Sequence, residues 1–313
     1  MSELAVGIDI GGTNTVLGFV DKDGICVHKT TKKTTDYVNP EVFVEALTCT
    51  ISDFFYTNKQ HSIAGIGIGA PNGNYYKGTI EFAPNLKWKG VVPIVSLFQQ
   101  KLKTPVILTN DANAAAIGEM IYGNARGMNN FILITLGTGV GSGIVVDGNL
   151  VYGHDGFAGE IGHAIVYPKG RLCGCGRKGC LEAYCSAQGI TTTYMELLNE
   201  EGILDIPKTT ISPLTIYEKA KSGESTAIRT YEKTGETLGL VLANSVAFTS
   251  PEAIFLFGGI SNAGDFLLIP TKKNFEKNLL VIYRNKITIL LSGIRENDAA
   301  VLGAASLIWK LKQ

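Results

Sequence analysis

The sequence lacks an excess of either charge. Its 28 lysine and arginine residues balance 28 aspartate and glutamate residues, so the formal net charge at pH 7 is zero. A neutral chain has no overall field that would attract nucleic acid or an anionic membrane surface. We therefore expect neither nucleic acid nor a membrane as a partner.

Long apolar runs and targeting signals are also missing. No apolar stretch reaches the ~18 residues that a membrane-spanning helix requires. The opening MSELAVGIDI has no basic leader and leads directly into a predicted strand, so no signal peptide is expected. Linkers and low-complexity segments are absent as well. These absences favour a globular cytoplasmic protein, and 313 residues are enough for two domains that each bury a core.

Cysteine is scarce except in one stretch. Three of the six cysteines lie in segment 159–182, which reads GEIGHAIVYPKGRLCGCGRKGCLE. The spacing H-x9-C-x-C-x4-C offers one imidazole and three thiols, a tetrahedral ligand set that suits Zn²⁺. The predicted ligands are His163, Cys173, Cys175 and Cys180. Because four protein ligands leave no open position, the zinc would be structural and would fix the loop that carries Glu160, His163 and Glu182.

A disulfide cluster is the alternative for these cysteines. It would need an oxidising compartment, which nothing in the sequence indicates, and cytosolic thiols normally stay reduced. The remaining cysteines, Cys26, Cys49 and Cys185, are scattered and are interpreted as packing residues.

The order of predicted elements occurs twice along the chain. Apolar runs at 4–9 and 15–20 flank the turn GGTNT and predict a strand, a glycine turn and a returning strand. FILITLG, TGVGSG and IVVDG repeat this order at 131–148. Two halves that open alike predict an internal duplication with a cleft between them. The last helix, predicted over 297–311, carries small residues and is expected to cross back onto the N-terminal half.

Three glycine-rich turns follow predicted strands, at 11–14, 137–143 and 258–264. Glycine lets backbone N–H groups point at an anion, and threonine adds a hydroxyl donor. A tight hairpin alone gives the same composition, but three such turns, with Asp9 at the end of the first strand, indicate phosphate binding. None matches G-x-x-x-x-G-K-[ST] or a clean G-x-G-x-x-G at a strand–helix junction, so the Walker and dinucleotide-binding patterns are excluded.

Four segments together resemble the ROK family of bacterial sugar kinases and related repressors. They are DIGGT at 9–13, NDANAAA at 110–116, LGTGVGSG at 136–143 and the GEIGH…CGCGRKGCLE stretch, and the resemblance covers nearly the whole chain. It implies an α/β, two-domain actin–hexokinase (ribonuclease H-like) fold with a cleft between the domains and a zinc-binding loop. The expected domains are a smaller one of residues 1–116 plus 298–313, and a larger one of residues 117–297.

The resemblance also implies ATP-dependent phosphorylation of a hexose, with glucose converted to glucose 6-phosphate as the favoured reaction, ATP and Mg²⁺ as cofactors, and a homodimer. Gly11, Gly12 and Thr13 would form the first phosphate loop. The second would be Gly137, Thr138 and Gly139. Gly258 and Gly259 would border the adenosine pocket. The sugar would be held by Asn85, Asn110, Asp111, Glu160, His163 and Glu182.

Elementary chemistry agrees with these roles. Phosphoryl transfer to a hydroxyl needs positioning, a magnesium ion and a carboxylate that accepts the hydroxyl proton. Asp111 follows a buried strand at a helix start and is the predicted base, with helix capping as its alternative role. Asp9 would orient magnesium through water, unless it is only a turn carboxylate. Asn85 would bond a sugar hydroxyl, unless it forms an Asx turn.

Two positions raise further questions. If one ring nitrogen of His163 binds zinc, the other is a donor of fixed orientation that can reach a sugar hydroxyl, although His163 as a zinc ligand alone is the alternative. The family's strand-end G-x-P-G reads GAPNG at 69–73, with Asn72 in place of the second glycine. Because asparagine tolerates left-handed backbone geometry, the turn is expected to survive.

The alternatives to a glucokinase are a sugar-sensing repressor, a catalytically silent sugar-binding protein and a kinase for another sugar. Family repressors carry a helix-turn-helix domain before the first phosphate loop, for which the residues before Asp9 leave no room, and zero net charge disfavours DNA binding. A catalytically silent sugar-binding protein is opposed by Asp9, Asp111 and the glycine turns. Among kinases the open alternatives are those for mannose, fructose, allose, N-acetylmannosamine and N-acetylglucosamine.

Overall fold

The computed structural model describes residues 1–203, 211–294 and 296–312. The strands are β1 Ser2–Ile10, β2 Asn14–Val20, β3 Cys26–Lys33, β4 His61–Gly69, β5 Gly73–Asn74, β6 Thr79–Glu81, β7 Val91–Val92, β8 Val106–Thr109, β9 Phe131–Leu136, β10 Val140–Val146, β11 Asn149–Leu150, β12 Ala253–Phe257 and β13 Thr288–Leu291. The helices are α1 Pro40–Thr57, α2 Ile94–Lys101, α3 Asp111–Tyr122, α4 Glu182–Cys185, α5 Ala187–Glu200, α6 Pro213–Lys221, α7 Ser225–Thr249, α8 Asp265–Asn278 and α9 Glu296–Leu311.

Two five-stranded sheets share one topology. The strand order is β3-β2-β1-β4-β8 in the first sheet and β11-β10-β9-β12-β13 in the second. In each sheet the first three strands along the chain are antiparallel, and the last two run parallel to the first. The identical order confirms the predicted duplication of one α/β unit.

Each sheet has its own core. The central strands β1 and β9 are almost wholly buried and read as continuous apolar runs, as strands covered on both faces do. Side chains of α1 and α2 cover the first sheet, and those of α5, α7 and α8 contribute to the core against the second. Within the described residues, no helix has both the length and the apolar character needed to cross a bilayer.

The last helix crosses back onto the first sheet, as expected. A Cβ atom on Gly67 of β4 would lie 1.8 Å from the Ala304 carbonyl oxygen, and one on Gly7 of β1 would lie 2.0 Å from that of Val301. Only glycine permits so close an approach. The other side of α9 meets α3, where Gly118 and Gly303 touch. The helix therefore lies between the first sheet and α3.

Helix α3 runs without a break across residue 116, where the first predicted domain ends, and so connects the two sheets. Its buried Glu119 accepts hydrogen bonds from Asn124 N, Gly293 N and Ser292 Oγ, which attach the end of α3 to the segment before α9. The domain boundaries stay a prediction. The predicted ranges also include residues 204–210, 295 and 313, which lie outside the described residues.

The second glycine turn is shorter than its composition suggested. The sequence predicted a turn over TGVGSG, but β10 already begins at Val140, and Gly141 and Gly143 lie within the strand. Helix α3 packs directly on them: a Cβ atom on Gly143 would lie 2.5 Å from the Ala116 Cβ, and one on Gly141 would lie 2.9 Å from the Ala112 Cβ. These glycines serve a close helix–sheet contact rather than the turn.

Candidate active site

A cleft of about 460 Å³ opens where the carboxyl ends of strands from both sheets converge. Its walls include the ends of β1, β4 and β9, and ligands of open α/β sheets bind at such ends. The predicted site residues that line it are Asp9, Asn85, Asn110, Asp111, Gly137, Thr138, Gly139, Glu160, His163, Glu182 and Gly258. Four of the predicted nucleotide-binding residues are not part of its lining: Gly11, Gly12, Thr13 and Gly259.

A larger open groove of about 840 Å³ lies beside the cysteine-rich segment and α7. Tyr167, Arg171, Tyr184 and Lys233 line it, and none of the predicted sugar or nucleotide residues does. Size alone would favour this groove. The smaller cleft is the candidate active site because the convergent carboxylates and glycine turns lie there.

Asp9 and Asp111 approach each other on the floor of the cleft. Asp9 lies near the end of β1 and Asp111 begins α3, with Gly69 at the end of β4 beside them. A Cβ atom on Gly69 would lie 3.7 Å from the Asp111 Cα and 4.0 Å from the Asp9 Oδ1. Gly69 therefore lies in van der Waals range of both aspartates and marks the place where β1, β4 and α3 meet.

The two carboxyl groups have raised pKa values. Burial, and then the negative charge of Asp111, raises the pKa of Asp9 to about 6. The pKa of Asp111 is raised because the surrounding protein desolvates its carboxyl group, although the side chain remains open to the cleft. A carboxylate of raised pKa is a better proton acceptor near neutral pH. The site therefore contains a base suited to a hydroxyl proton.

The cap of α3 is Asn110 and not Asp111. Asn110 Oδ1 accepts a hydrogen bond of 2.7 Å from Asn113 N, while Asp111 Oδ1 accepts one of 2.8 Å from the adjacent Ala112 N. The alternative in which Asp111 merely caps the helix is therefore wrong. Asn110 combines this cap with a place in the cleft wall, where its amide N–H groups are available to a ligand.

The first glycine turn is closed by its own backbone. Gly11 N donates to Asn14 O at 3.0 Å, and Thr34 N donates to Thr13 O at 2.8 Å. Gly12 lies against Asn85, because a Cβ atom there would be 2.6 Å from the Asn85 carbonyl oxygen. The turn is thus placed beside the cleft through Asn85, although its residues do not form the cleft wall.

The second turn is held by Glu182, which sequence reasoning had placed only against the sugar. Glu182 Oε2 accepts a hydrogen bond of 3.0 Å from Val140 N, and a Cβ atom on Gly139 would lie 2.6 Å from the same oxygen. The other oxygen, Oε1, lies 3.4 Å from Cys173 Sγ. One carboxylate therefore connects the cysteine cluster to the glycine turn.

The four predicted metal ligands come together. Their ligand atoms all lie within 4.8 Å of one another, with His163 Nδ1 3.7 Å from Cys173 Sγ and Cys175 Sγ 3.7 Å from Cys180 Sγ. A tetrahedral ion with Zn–S bonds of about 2.3 Å places its ligand atoms about 3.5 to 3.8 Å apart. The arrangement fits Zn²⁺. All four cysteines of the region, including Cys185, are free thiols, so the disulfide alternative is not supported.

Backbone hydrogen bonds shape the segment 163–180, the metal knuckle, around these ligands. Cys173 N donates to Arg177 O at 2.8 Å, and Gly176 N donates to Cys173 O at 2.9 Å. Gly179 has φ of +81°, and a Cβ atom there would lie 1.7 Å from the Tyr167 carbonyl oxygen, so no side chain fits. Cys173 and Cys180 are buried, and Cys175 is exposed.

Ser142 is a residue that sequence reasoning missed. Its Oγ donates to Gly159 O and accepts a hydrogen bond of 3.3 Å from Ile161 N, which fixes the turn that carries Glu160. Burial raises the pKa of Glu160, Asp111 and Glu182 raise it further, and His163 opposes them. No sequence pattern distinguishes this serine from others in a glycine-rich strand.

The structure defines the backbone and side-chain contacts of Asn72 and Asn85. Asn72 has φ of 52°, so the turn survives as expected, and its Nδ2 donates to Glu81 O at 2.9 Å. In the part of the chain that the structure describes, no hydrogen bond joins the Asn85 side chain to its own turn. The Asx-turn alternative for Asn85 is therefore not supported, and its amide is available to the cleft.

Comparison with known proteins agrees with this architecture. The sequence model of the ROK family matches residues 5–310. This chain belongs to the ROK family. Its relatives include the glucokinases of Halalkalibacterium halodurans, 36% identical and covering 98% of this chain and 94% of that protein, and of Streptomyces coelicolor, 34% identical and covering 97% of both.

A ROK family structure extends the comparison to the fold. The ROK family glucokinase of Streptomyces griseus, in complex with glucose and AMPPNP, matches with a TM-score of 0.80 at 32% identity and covers 98% of this chain and 99% of its own. The predicted membership of the ROK family and the predicted two-domain actin–hexokinase fold class are thereby confirmed. The roles of individual site residues stay predictions.

Asp9 provides a test of the electrostatics of this ROK cleft. Because its pKa is raised in the folded protein, folding favours the protonated form; that stabilisation is complete below the unfolded value near 3.8 and is lost as pH rises through about 6. At pH 8 we expect the free energy of unfolding of Asp9→Asn to exceed that of the parent by about 1 to 3 kcal/mol, so the variant unfolds at a higher temperature. The difference in stability should vanish near pH 4.

The measurement is thermal unfolding of both proteins across this pH range. Asp23→Asn, at an exposed position remote from the cleft, is the matched control and should follow the parent throughout. Equal stability of Asp9→Asn and the parent at pH 8 would contradict the conclusion that burial and the charge of Asp111 raise the pKa of Asp9.

Proposed function

We infer that this chain is an ATP-dependent hexose kinase that phosphorylates glucose at its 6-hydroxyl group. The observation that carries this conclusion is Asp111, an accessible carboxylate of raised pKa in a cleft that also contains the glycine turn Gly137–Gly139. ROK family membership and glucokinase relatives at 34% and 36% identity over nearly the whole chain support the same reaction.

Asp111 acts as the general base. Its position at the first residue of α3 exposes the carboxylate to the cleft, and the helix dipole favours its ionised form. It accepts the proton of the sugar hydroxyl as that oxygen bonds to the γ-phosphorus of ATP; the bond from this phosphorus to the β–γ bridging oxygen breaks, and ADP leaves. General base catalysis of this kind contributes typically 10² to 10⁴-fold to the rate.

The second glycine turn, which lines the cleft, holds the phosphates of ATP. Gly137 N donates to Gly139 O at 3.0 Å and Val140 N donates to Glu182, so the N–H groups of Thr138 and Gly139 are those that would face an anion. Gly258, at φ of +102°, adjoins Leu136 and borders the adenosine. Asp9 would hold Mg²⁺ through water, and the ion would supply charge neutralisation on the phosphates.

Side chains with directional hydrogen bonds hold the sugar. Glu160, Asn85 and Asn110 line the cleft with free polar groups, and Glu182 and His163 join it from the metal knuckle. Since His163 Nδ1 faces Cys173, its Nε2 is the nitrogen left for a sugar hydroxyl. A site built on such groups rejects an analogue that lacks the bonded hydroxyl, often by ~10⁴-fold.

The ligand set His163, Cys173, Cys175 and Cys180 would hold structural Zn²⁺. The ion supplies rigidity and no open coordination position. The consequence for this chain is that Glu182 and His163 keep fixed orientations toward both the sugar and the second glycine turn. Free thiols also favour a reducing compartment, in agreement with the expected cytoplasmic location.

The reaction is tested by a coupled assay of ADP release with a panel of hexoses and N-acetylhexosamines. Glucose should give the highest kcat/KM. Asp111→Asn should lower kcat with glucose by about 10² to 10⁴-fold, because the proton acceptor is lost while the Asn110 cap remains.

Unfolding and nucleotide binding of Asp111→Asn are the controls: nucleotide binding should match the parent, and stability at neutral pH should be at least that of the parent, because the substitution removes a desolvated charge. A kcat within about tenfold of the parent would remove Asp111 as the base. An N-acetylhexosamine with the highest kcat/KM would make the glucose assignment wrong while leaving the kinase class intact.

Metal content is expected to be one zinc ion per chain. Cys175→Ala should lose the metal and weaken glucose binding together, because the knuckle that orients Glu182 and His163 loosens. Elemental analysis and calorimetric titration with glucose measure the two effects. Cys49→Ala, an exposed cysteine on α1, is the matched control. A metal-free variant with parental glucose affinity would disprove the coupling.

A homodimer is supported by an exposed apolar groove of about 270 Å³ on α7 and the turn after His163. Phe248 is 89% exposed and Ile165 is 50% exposed there, and such surfaces usually mark protein contacts. Sedimentation should show a dimer for the parent and a monomer for Phe248→Glu. Val38→Glu, at another exposed apolar position, should stay dimeric. A monomeric parent protein would contradict this proposal.

A further inference from the structure

Three tyrosines meet between two segments that are distant in sequence. The rings of Tyr75 and Tyr152 are stacked, with centroids 4.2 Å apart and planes 7° from parallel, and Tyr76 packs edge-on against Tyr152 at 5.9 Å. Tyr75 and Tyr76 follow β5, next to the first sheet, while Tyr152 follows β11 of the second sheet. The stack therefore joins the two halves of the molecule.

Asn74 makes a second contact between the same segments. Its Nδ2 donates a hydrogen bond of 2.7 Å to Asp155 O, and its Oδ1 accepts from Tyr76 N and Lys77 N at 3.1 and 3.2 Å. The residue is completely buried. Its side chain therefore uses both ends of the amide, one in its own turn and one in the opposite half.

A glycine makes room for this contact. Gly156 has φ of +93°, and a Cβ atom there would lie 2.7 Å from Asn74 Oδ1. The segment 151–158 is itself closed by a hydrogen bond of 3.1 Å from Ala158 N to Tyr152 O. Both the aromatic stack and the amide contact thus involve a turn of defined shape.

The contacts lie next to both walls of the cleft. Pro71 and Asn72 line the cleft directly before Asn74, and Glu160 lines it shortly after the segment 151–158. Tyr152 also lies beside the Thr109 side chain, at the end of the strand that leads into Asp111. Movement of either segment would therefore change the separation between the wall at Asn72 and the wall at Glu160.

We propose that Asn74, Tyr75 and Tyr152 form a latch that holds the two walls of the sugar end of the cleft together, and that they are positioning residues for the sugar. The proposal rests on the inferred hexose kinase reaction for its sugar, but the latch itself is a contact between two halves of the chain. With the latch intact, the cleft holds a small hexose closely. With it open, the walls separate, glucose binds more weakly, and a hexose with a bulky N-acetyl group is admitted more readily.

Hydrogen exchange of the ligand-free protein tests the latch without any enzyme reaction. Tyr75→Ala changes only a partly exposed side chain beside the first sheet, yet it should increase amide exchange in segment 151–158 of the opposite half severalfold. Tyr75→Phe keeps the ring and should exchange like the parent. A side chain that only stabilises its own turn would leave the opposite segment unchanged, and that result overturns the latch.

Kinetics test its role in positioning the sugar. Tyr152→Ala and Tyr75→Ala should raise the KM for glucose about 5 to 20-fold with kcat within about threefold, and should raise the ratio of kcat/KM for N-acetylglucosamine to that for glucose. Tyr152→Phe should restore parental values. Tyr56→Ala, an exposed tyrosine of α1, is the matched control.

The outcomes separate the two proposals. Increased exchange in segment 151–158 with an unchanged KM for glucose would overturn the positioning role. If Tyr152→Ala does not fold, Tyr75→Ala decides the question, because its side chain is 41% exposed. If the parent phosphorylates no sugar, the inferred reaction fails, while the exchange experiment still decides whether the latch exists.

Discussion

One carboxylate, that of Glu182, connects the parts of this site that would otherwise be independent. Its Oε2 accepts a hydrogen bond from Val140 N of the second glycine turn, and its backbone follows the predicted metal ligand Cys180 by two residues. Because Glu182 is held both through its backbone and through one oxygen, the knuckle, the sugar wall and the nucleotide turn share one geometry. Disorder of the knuckle would therefore disturb the residues that bind the phosphates as well as those that bind the sugar, although no metal ligand would contact ATP.

The rest of the architecture allows the two halves to meet at this point. Helix α3 connects the sheets, α9 returns to the first sheet across Gly7 and Gly67, and Glu119 attaches the end of α3 to the segment before α9. The start of α3 and the start of α9 also line the cleft. Further described contacts between the halves are the stacked tyrosines and the buried Asn74. Two halves that are joined by a continuous helix and by separate side-chain contacts beside the cleft are suited to moving around a substrate.

Much of this could be predicted from local sequence, and the failures have one cause. The repeated strand–turn–strand order, the metal ligand spacing and the family resemblance depend on neighbouring residues, and the predicted duplication, fold class and ROK family membership are confirmed. The cap at Asn110, the strand glycines at Gly141 and Gly143 and the second role of Glu182 depend on what packs against them from elsewhere. The local sequence does not show such long-range partners, because a glycine that allows a helix to pack closely cannot be distinguished in sequence from a glycine that forms a turn.

The path of α9 has a consequence for how the chain is made. The strands that α9 must cover, β1 and β4, leave the ribosome long before α9. Until it arrives, the face of β1 and β4 around Gly7 and Gly67 lacks its covering helix, and the glycines leave its backbone unusually bare. The N-terminal half therefore stays an incomplete unit until α9 has been synthesised, and the second sheet likewise waits for β13, which directly precedes α9. The half that is synthesised first is thus completed no earlier than the second half.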